Sequence, residues 1–418
     1  MEDFQYKHGE LHCEDVALAR IAKEFGTPCY IYSHASLIRN FRAFDGAFQG
    51  LPHIVAFAMK ANSNIGLLRL MAKEGSGADI VSGGELFRAL KAGVPPSKIV
   101  FAGVGKNPQE IRDALKADVL MFNVESSAEL RAIDAVAAEL GVKARVALRI
   151  NPDVDPKTHP YISTGLKKSK FGISADRALE EFKLASSLTH IEVVGVHKHI
   201  GSQLTDLTPF VDALKKILGL VEQLKAQGIN LRYINIGGGL GITYADEVPP
   251  KPHQLAEAVS PLLRDLKCML IMEPGRSIVG NAGILLTKVL YNKDGEAKRF
   301  VIVDAAMNDL IRPSLYGAYH DIRHVRQTAA KPATVDIVGP VCESGDFLAK
   351  DRTMPEATSG DLLAVMSAGA YGFVMSSNYN SRPRVPELLV KGGEVHVLRA
   401  RETYDDLIRG EQIPAFLR

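Results

Sequence analysis

The chain is expected to fold as an α/β protein, a (β/α)8 TIM barrel followed by a second, mostly β domain of sandwich or barrel-like form. Three observations lead there. Between residues 53 and 276, eight short apolar, β-branched runs alternate with segments whose apolar residues recur three and four apart. Each run ends, on its C-terminal side, in chemically unusual polar residues. Beyond residue 285 long helical periods stop, and strand-like runs separated by Gly-, Asn- and Pro-rich turns take over.

Taken in order, residues 28–32 (Pro-Cys-Tyr-Ile-Tyr) form a strand-like run that could pair with the C-terminal domain. The barrel strands are expected at 54–59, 78–81, 98–102, 119–123, 145–150, 191–197, 233–236 and 269–272. Helical periods lie at 67–73, 86–92, 109–116, 128–140, 211–227 and 254–265. Strands alternating with helices imply parallel βα units. Eight of them within roughly 220 residues suit a barrel, whose usual size is about 250; a doubly wound open sheet is the rival arrangement. The later strands are expected at 289–290, 300–303, 334–338, 362–366 and 395–398. The domains would then be an N-terminal segment (1–34) pairing with the β domain, the barrel (35–285) and the β-rich domain (286–418).

Composition narrows the function. With 46% hydrophobic and 23% charged residues and a net charge of +2, the 418-residue chain is ordinary globular protein. So even a balance argues against a dedicated nucleic-acid binder. No apolar run reaches the ~18 residues a membrane helix needs, and the polar first ten residues do not resemble a signal peptide. Cys13, Cys29, Cys268 and Cys342 are far apart, with no CxxC spacing. That disfavours a disulfide framework or a cysteine metal site, and suits a reducing, cytoplasmic setting.

The polar run ends carry the chemistry. Lys60, after 54–59, sits where a lysine can be partly desolvated and attack a carbonyl to form a Schiff base, or can simply snorkel to water. Gly237-Gly238-Gly239 follows a strand directly; its N–H groups can cradle a phosphate, or it can be a flexible turn. It matches neither the dinucleotide GxGxxG nor the P-loop. His197 and His199 alternate onto one face, one filling the interior and the other reaching the mouth. A neutral imidazole can lie against an aromatic cofactor, and the Ser202 hydroxyl can donate to a phosphate. No third ligand accompanies the two histidines, so no metal site is expected. Glu273 can hold a protonated pyridine nitrogen, which strengthens the ring as an electron sink. Arg276 offers a planar fork for carboxylate or phosphate, although a surface ion pair would explain both residues. Outside the barrel, Cys342 next to Glu343 can be a proton donor or a small buried hydrophobe. Tyr371, in Gly369-Ala-Tyr-Gly372, can donate to an anion or fill an interface.

In order, Gly26-Thr-Pro28, Phe57-Ala-Met-Lys-Ala-Asn62, Thr164-Gly-Leu-Lys-Lys-Ser-Lys-Phe-Gly172, His199-Ile-Gly-Ser-Gln203, Asn235-Ile-Gly-Gly-Gly-Leu-Gly241, Glu273-Pro-Gly-Arg276, Ile311-Arg-Pro-Ser-Leu-Tyr316, Cys342-Glu-Ser-Gly-Asp346 and Gly369-Ala-Tyr-Gly372 resemble the fold-type III pyridoxal-phosphate decarboxylases of basic amino acids. The resemblance covers nearly the whole chain. It implies pyridoxal 5'-phosphate as cofactor and meso-2,6-diaminopimelate as substrate, giving L-lysine and CO2 in the last step of lysine biosynthesis. It implies that Lys60 carries the cofactor, His199 stacks on its ring and Glu273 pairs with its nitrogen. Ser202, Gly238, Gly239, Gly275 and Arg276 would hold its phosphate, assisted by Tyr371. Arg276, Arg312, Tyr316, Glu343 and Tyr371 would bind substrate, and Cys342 would return a proton after CO2 leaves. Lys60, Cys342 and His199 are thus the expected catalytic residues. Cys342 and Glu343 would serve the partner subunit's active site, implying a homodimer. Arg312 beside Glu343 offers opposite charges to a substrate end bearing both an amine and a carboxylate. Same-fold decarboxylases of carboxynorspermidine, ornithine or arginine are the alternatives, as is a non-catalytic relative that binds the cofactor. A racemase fits less well, because that branch sets an arginine against the ring nitrogen. The segment 318–331 maps onto no role.

Overall fold

The computed structural model describes residues 1–154 and 170–417. It divides into two compact units, Ile38–Ile278 and Met1–Leu37 with Val279–Arg418. In the first, eight strands follow the chain: β1 (His53–Ala58), β2 (Gly77–Ile80), β3 (Ile99–Phe101), β4 (Met121–Val124), β5 (Ala144–Asn151), β6 (Ile191–His197), β7 (Tyr233–Asn235) and β8 (Met269–Met272). Every neighbour pair is parallel, β8 pairs with β1, and β4 pairs with β5, so the ring is closed. The expected (β/α)8 barrel forms, and closure removes the strand edges that an open sheet would leave.

The helices are α1 (Ile65–Lys73), α2 (Gly83–Ala92), α3 (Pro108–Lys116), α4 (Ser127–Leu140), α5 (Ala178–Ser187), α6 (Thr208–Ala226) and α7 (Pro252–Leu263). Asn64, Ser82, Asn107 and Ser126 each accept a backbone N–H from the first turn of α1 to α4. Such caps are worth about 1 kcal/mol each, and they start each helix within a few residues of the preceding strand. α5 escapes the sequence periodicity because its buried face includes Glu181. That carboxylate accepts from Ser127 Oγ at 2.7 Å and Arg177 Nη2 at 2.6 Å. Inside the barrel, Ala56, Val100, Leu120, Met121, Ala147, Val194 and Ile271 form one apolar cluster, and each large member contributes about 1.5–3 kcal/mol by burial.

The second unit is mostly β, as expected. One sheet runs Phe347–Pro355, Pro332–Val338, Arg299–Val303, Gly283–Asp294, Cys29–Ser33, Glu387–Lys391, Glu394–Arg399. Leu362–Val365 joins it through Gly283–Asp294 and also pairs with Ile322–His324. Leu11, Ile21, Cys29, Ile31, Ile284, Leu286, Leu388 and Val390 lie in its core. Residues 289–290 are only part of a twelve-residue strand. Phe347–Pro355 was not anticipated, since its Lys-Asp-Arg run suits only the edge position it takes. Residues 164–169 of the Thr164–Gly172 motif lie outside the described residues. Among those described, no helix is long and apolar enough to cross a membrane.

Candidate active site

A short 3-10 turn, Met59–Ala61, follows β1 and presents Lys60. Its Nζ lies 2.5 Å from Asp79 Oδ2 on β2, the lysine side chain 38% exposed and the aspartate 0%. The amine is therefore reachable while its partner is not. Burial pushes the Asp79 carboxyl up to about 6; the Glu273 charge adds to the rise, and Lys60 opposes it.

Glu273 follows β8. Its Oε1 accepts from Asn235 Nδ2 at 2.6 Å and Asn123 Nδ2 at 3.1 Å, and His197 Nε2 stands 3.3 Å from Oε2. Burial alone would raise this carboxyl, but His197, Lys60 and the Asn235 amide outweigh it and hold the group well below the usual carboxylate range. Two buried carboxylates in one barrel are thereby driven apart: Glu273 stays ionised while Asp79 takes up a proton more readily. His197, whose role the sequence left open, faces Glu273. Asp79, Asn123 and Asn235 were missed as site residues. The available signal was an acid inside the apolar run 78–81 and amides within or ending the runs 119–123 and 233–236.

The turns after β6, β7 and β8 press on one another. A Cβ at Gly238 would lie 2.1 Å from the Glu273 carbonyl oxygen, and one at Gly239, where φ is +117°, would lie 2.3 Å from Gly201 O. Glycine is required here so that backbones can meet. The N–H groups of Gly239 and Gly275 reach no acceptor among the described residues. Nearby, Arg276 donates through Nε and Nη2 to Ser202 Oγ at 3.3 and 3.1 Å, and through Nη1 to the Tyr244 hydroxyl at 2.6 Å. His199 Nδ1 accepts the Gly238 N–H at 3.3 Å. Burial, then the neighbouring Arg149 and Lys60 charges, hold this imidazole well below its usual range, so the ring is neutral. Lys60, His199, Ser202, Gly238, Gly239, Glu273, Gly275 and Arg276 thus gather at the C-terminal ends of the barrel strands, the face on which barrel enzymes build their sites. Unpaired N–H donors beside a hydroxyl and a guanidinium suit a phosphate.

The remaining candidates belong to the second unit. Arg312 and Tyr316 open and close the short helix Arg312–Tyr316. Cys342 is exposed, its N–H bound to Asn380 Oδ1 at 2.8 Å. Glu343 Oε2 accepts from the Tyr379 hydroxyl at 3.4 Å. Their loop is pinned by Asp346, whose two oxygens accept the N–H groups of Met307 and Val341, each at 2.7 Å. Tyr371 holds φ +55°, a left-handed conformation costing about 1–2 kcal/mol for such a side chain. Among the described residues, no group of three or more His, Cys, Asp or Glu is arranged to hold a metal ion.

Residues 34–280 match the family described as pyridoxal-dependent decarboxylase, pyridoxal binding domain. The chain is 56% identical to the diaminopimelate decarboxylase of Pseudomonas aeruginosa, over 99% of both chains. It is 54% identical to that of Vibrio cholerae, covering 97% of this chain and 98% of the relative. Among solved structures, the Helicobacter pylori diaminopimelate decarboxylase complexed with L-lysine superposes with a TM-score of 0.91 at 47% identity, covering 94% of this chain and 98% of that one. The M. jannaschii enzyme in co-complex with L-lysine gives a TM-score of 0.95 at 42% identity, covering 100% and 99%. The chain belongs to the pyridoxal-dependent decarboxylases and, among them, to the diaminopimelate decarboxylase family.

Proposed function

We propose that this protein removes CO2 from meso-2,6-diaminopimelate and releases L-lysine, with pyridoxal 5'-phosphate bound in the barrel. The observation that carries this reading is the full-length likeness to diaminopimelate decarboxylases at 56% identity, joined to a barrel mouth whose donors suit the cofactor. The residues fit that group. Lys60 offers a reachable amine, Glu273 is an ionised carboxylate able to keep a proton on a ring nitrogen, and His199 is a neutral ring able to stack. Ser202, Gly238, Gly239, Gly275 and Arg276, with Tyr371, would hold the phosphate. When bound, the cofactor supplies an electron sink for the carbanion left by loss of CO2.

The chain's own residues do the rest. Lys60 Nζ would hold the cofactor at the barrel mouth, where the substrate amine must also arrive. Glu273, kept charged by Asn123, Asn235 and His197, holds the proton that makes the sink effective. Arg276, Arg312, Tyr316, Glu343 and Tyr371 bind the substrate, and Cys342 Sγ delivers a proton to the alpha carbon after CO2 departs. Cys342 and Glu343 are exposed in the single chain. A homodimer in which they serve the partner's site accounts for that exposure. Four free cysteines suit a cytoplasmic enzyme.

The test is product identity. The holoenzyme, which should absorb visible light, is incubated with meso-diaminopimelate, ornithine, arginine and carboxynorspermidine, and with a Lys60→Ala variant as control. CO2 and L-lysine from the first substrate alone support the reading. Preferential turnover of another substrate, or equal turnover by Lys60→Ala, refutes it.

A further inference from the structure

Arg312 is buried, 7% exposed, at the start of its short helix. Gly317 ends that helix in the left-handed conformation, φ +61°, and turns the chain back so that His320 meets Arg312. Arg312 Nη1 lies 2.8 Å from His320 Nε2, and His320 Nδ1 lies 2.8 Å from the carbonyl oxygen of Met366. A guanidinium can only donate and a carbonyl can only accept. The ring is therefore neutral, with its proton on Nδ1 and its lone pair on Nε2 turned to the arginine. His320 is completely buried.

The support beneath it is rigid. Met366 directly follows the strand Leu362–Val365, which pairs with Gly283–Asp294 and with Ile322–His324. The Met366 N–H donates to Asp321 O at 2.8 Å, which ties that strand end to the residue next to His320. A sheet carbonyl thus orients an imidazole, and the imidazole orients one edge of a buried guanidinium. As an uncharged acceptor, His320 fixes the direction of the guanidinium without contributing a cancelling charge. A carboxylate in its place would do both.

We propose that His320 is a positioning residue that aims Arg312 at the carboxylate on the distal end of the substrate, and so sets the preference for amino acids that carry one. The proposal rests on the reading of Arg312 as a substrate-binding residue. It gives a role to the segment 318–331, which the sequence left without one.

Two variants separate the ring's two bonds. In His320→Asn the amide nitrogen replaces Nδ1 and keeps the Met366 carbonyl satisfied, but the shorter side chain no longer reaches Arg312. In His320→Gln the longer amide carries both an acceptor and a donor. Holoenzymes are compared for kcat and KM with meso-diaminopimelate, and for the binding of L-lysine, which keeps the distal carboxylate, against 1,5-diaminopentane, which lacks it. Hydrogen bonds to charged groups are of a size that corresponds to roughly 10- to 100-fold in affinity. His320→Asn should raise KM and weaken L-lysine binding by about that factor, with kcat within about threefold and diamine binding unchanged. His320→Gln should recover most of the loss.

An unchanged KM in His320→Asn alongside a raised KM in Arg312→Met overturns the proposal and leaves the Arg312 reading standing. No change in either variant means that Arg312 does not bind substrate, and the proposal falls with it. Equal losses of kcat, L-lysine binding and diamine binding mark a merely structural histidine and also overturn it. Should His320→Asn fail to fold, His320→Gln decides alone: a retained preference for L-lysine over the diamine supports the proposal, and a lost one refutes it.

Discussion

Replacing Asp79 by asparagine removes one charge from the barrel while keeping the side chain's size and its oxygen toward Lys60. The carboxyl rises from 3.8 to about 6 in the folded protein. At about 1.4 kcal/mol per pH unit, that displacement is worth about 3 kcal/mol. The folded state binds this proton more tightly than the unfolded state. The stabilisation is therefore complete below pH ~4 and is lost as pH rises through about 6. Glu273 acts in the opposite sense. Its carboxyl is held low, so its contribution is lost only as pH falls below the ordinary carboxylate value of about 4.3. Groups common to the two proteins cancel in the comparison, so between pH 7 and 4.5 wild type should gain about 2 kcal/mol over Asp79→Asn. For a unit the size of Ile38–Ile278, that is a relative rise of about 4–8 °C in melting temperature. Paired thermal scans of cofactor-stripped wild type and Asp79→Asn at half-unit steps would measure it. Melting curves that move in parallel over this range would show that the buried acid carries no raised proton affinity, and the argument for two carboxylates driven apart would fail.

Two further outcomes follow from the geometry. Gly238→Ala places a methyl 2.1 Å from the Glu273 carbonyl oxygen, whereas Gly105→Ala meets nothing within 4 Å. The first should lose about 1–3 kcal/mol of stability and bind pyridoxal phosphate more weakly in an absorbance titration; the second should match wild type in both. In the homodimer reading, mixing inactive Lys60→Ala with inactive Cys342→Ala should restore decarboxylation, because hybrid dimers contain one site with both groups intact. Mixtures that form hybrids by native mass spectrometry yet stay inactive would contradict it.

The barrel was readable because its strands are buried on both faces, so runs such as 54–59 and 191–197 are almost continuously apolar. Lys60, His199 and Glu273 stood out because an ionisable residue ending such a run has no packing reason to be there. Asp79, Asn123 and Asn235 did not stand out. Each is an ordinary polar residue in or beside its run, and ring closure is what brings β2 and β4 round towards β8, beside which β7 already lies. α5 was hidden by the buried Glu181, whose partners Ser127 and Arg177 cannot be recognised before the fold is known. His320 was hidden differently. Its bond to Arg312 depends on a helix of five residues and a left-handed turn, both too short to leave a period in the sequence.

The strand Cys29–Ser33 lies between Gly283–Asp294 and Glu387–Lys391, bonded to both. On a ribosome adding roughly 5–20 residues per second, more than 350 residues separate this segment from its second neighbour, a wait of about 20–70 s. Cys29–Ser33 is thus without its first sheet partner until Gly283–Asp294 is made and without its second until Glu387–Lys391 is made, while Ile38–Ile278 can consolidate in between. A nascent chain stalled before residue 283 would carry Cys29–Ser33 as an apolar ribbon with neither neighbour. Holdase chaperones that shield such ribbons would have their longest window of action on this protein there, rather than on the barrel.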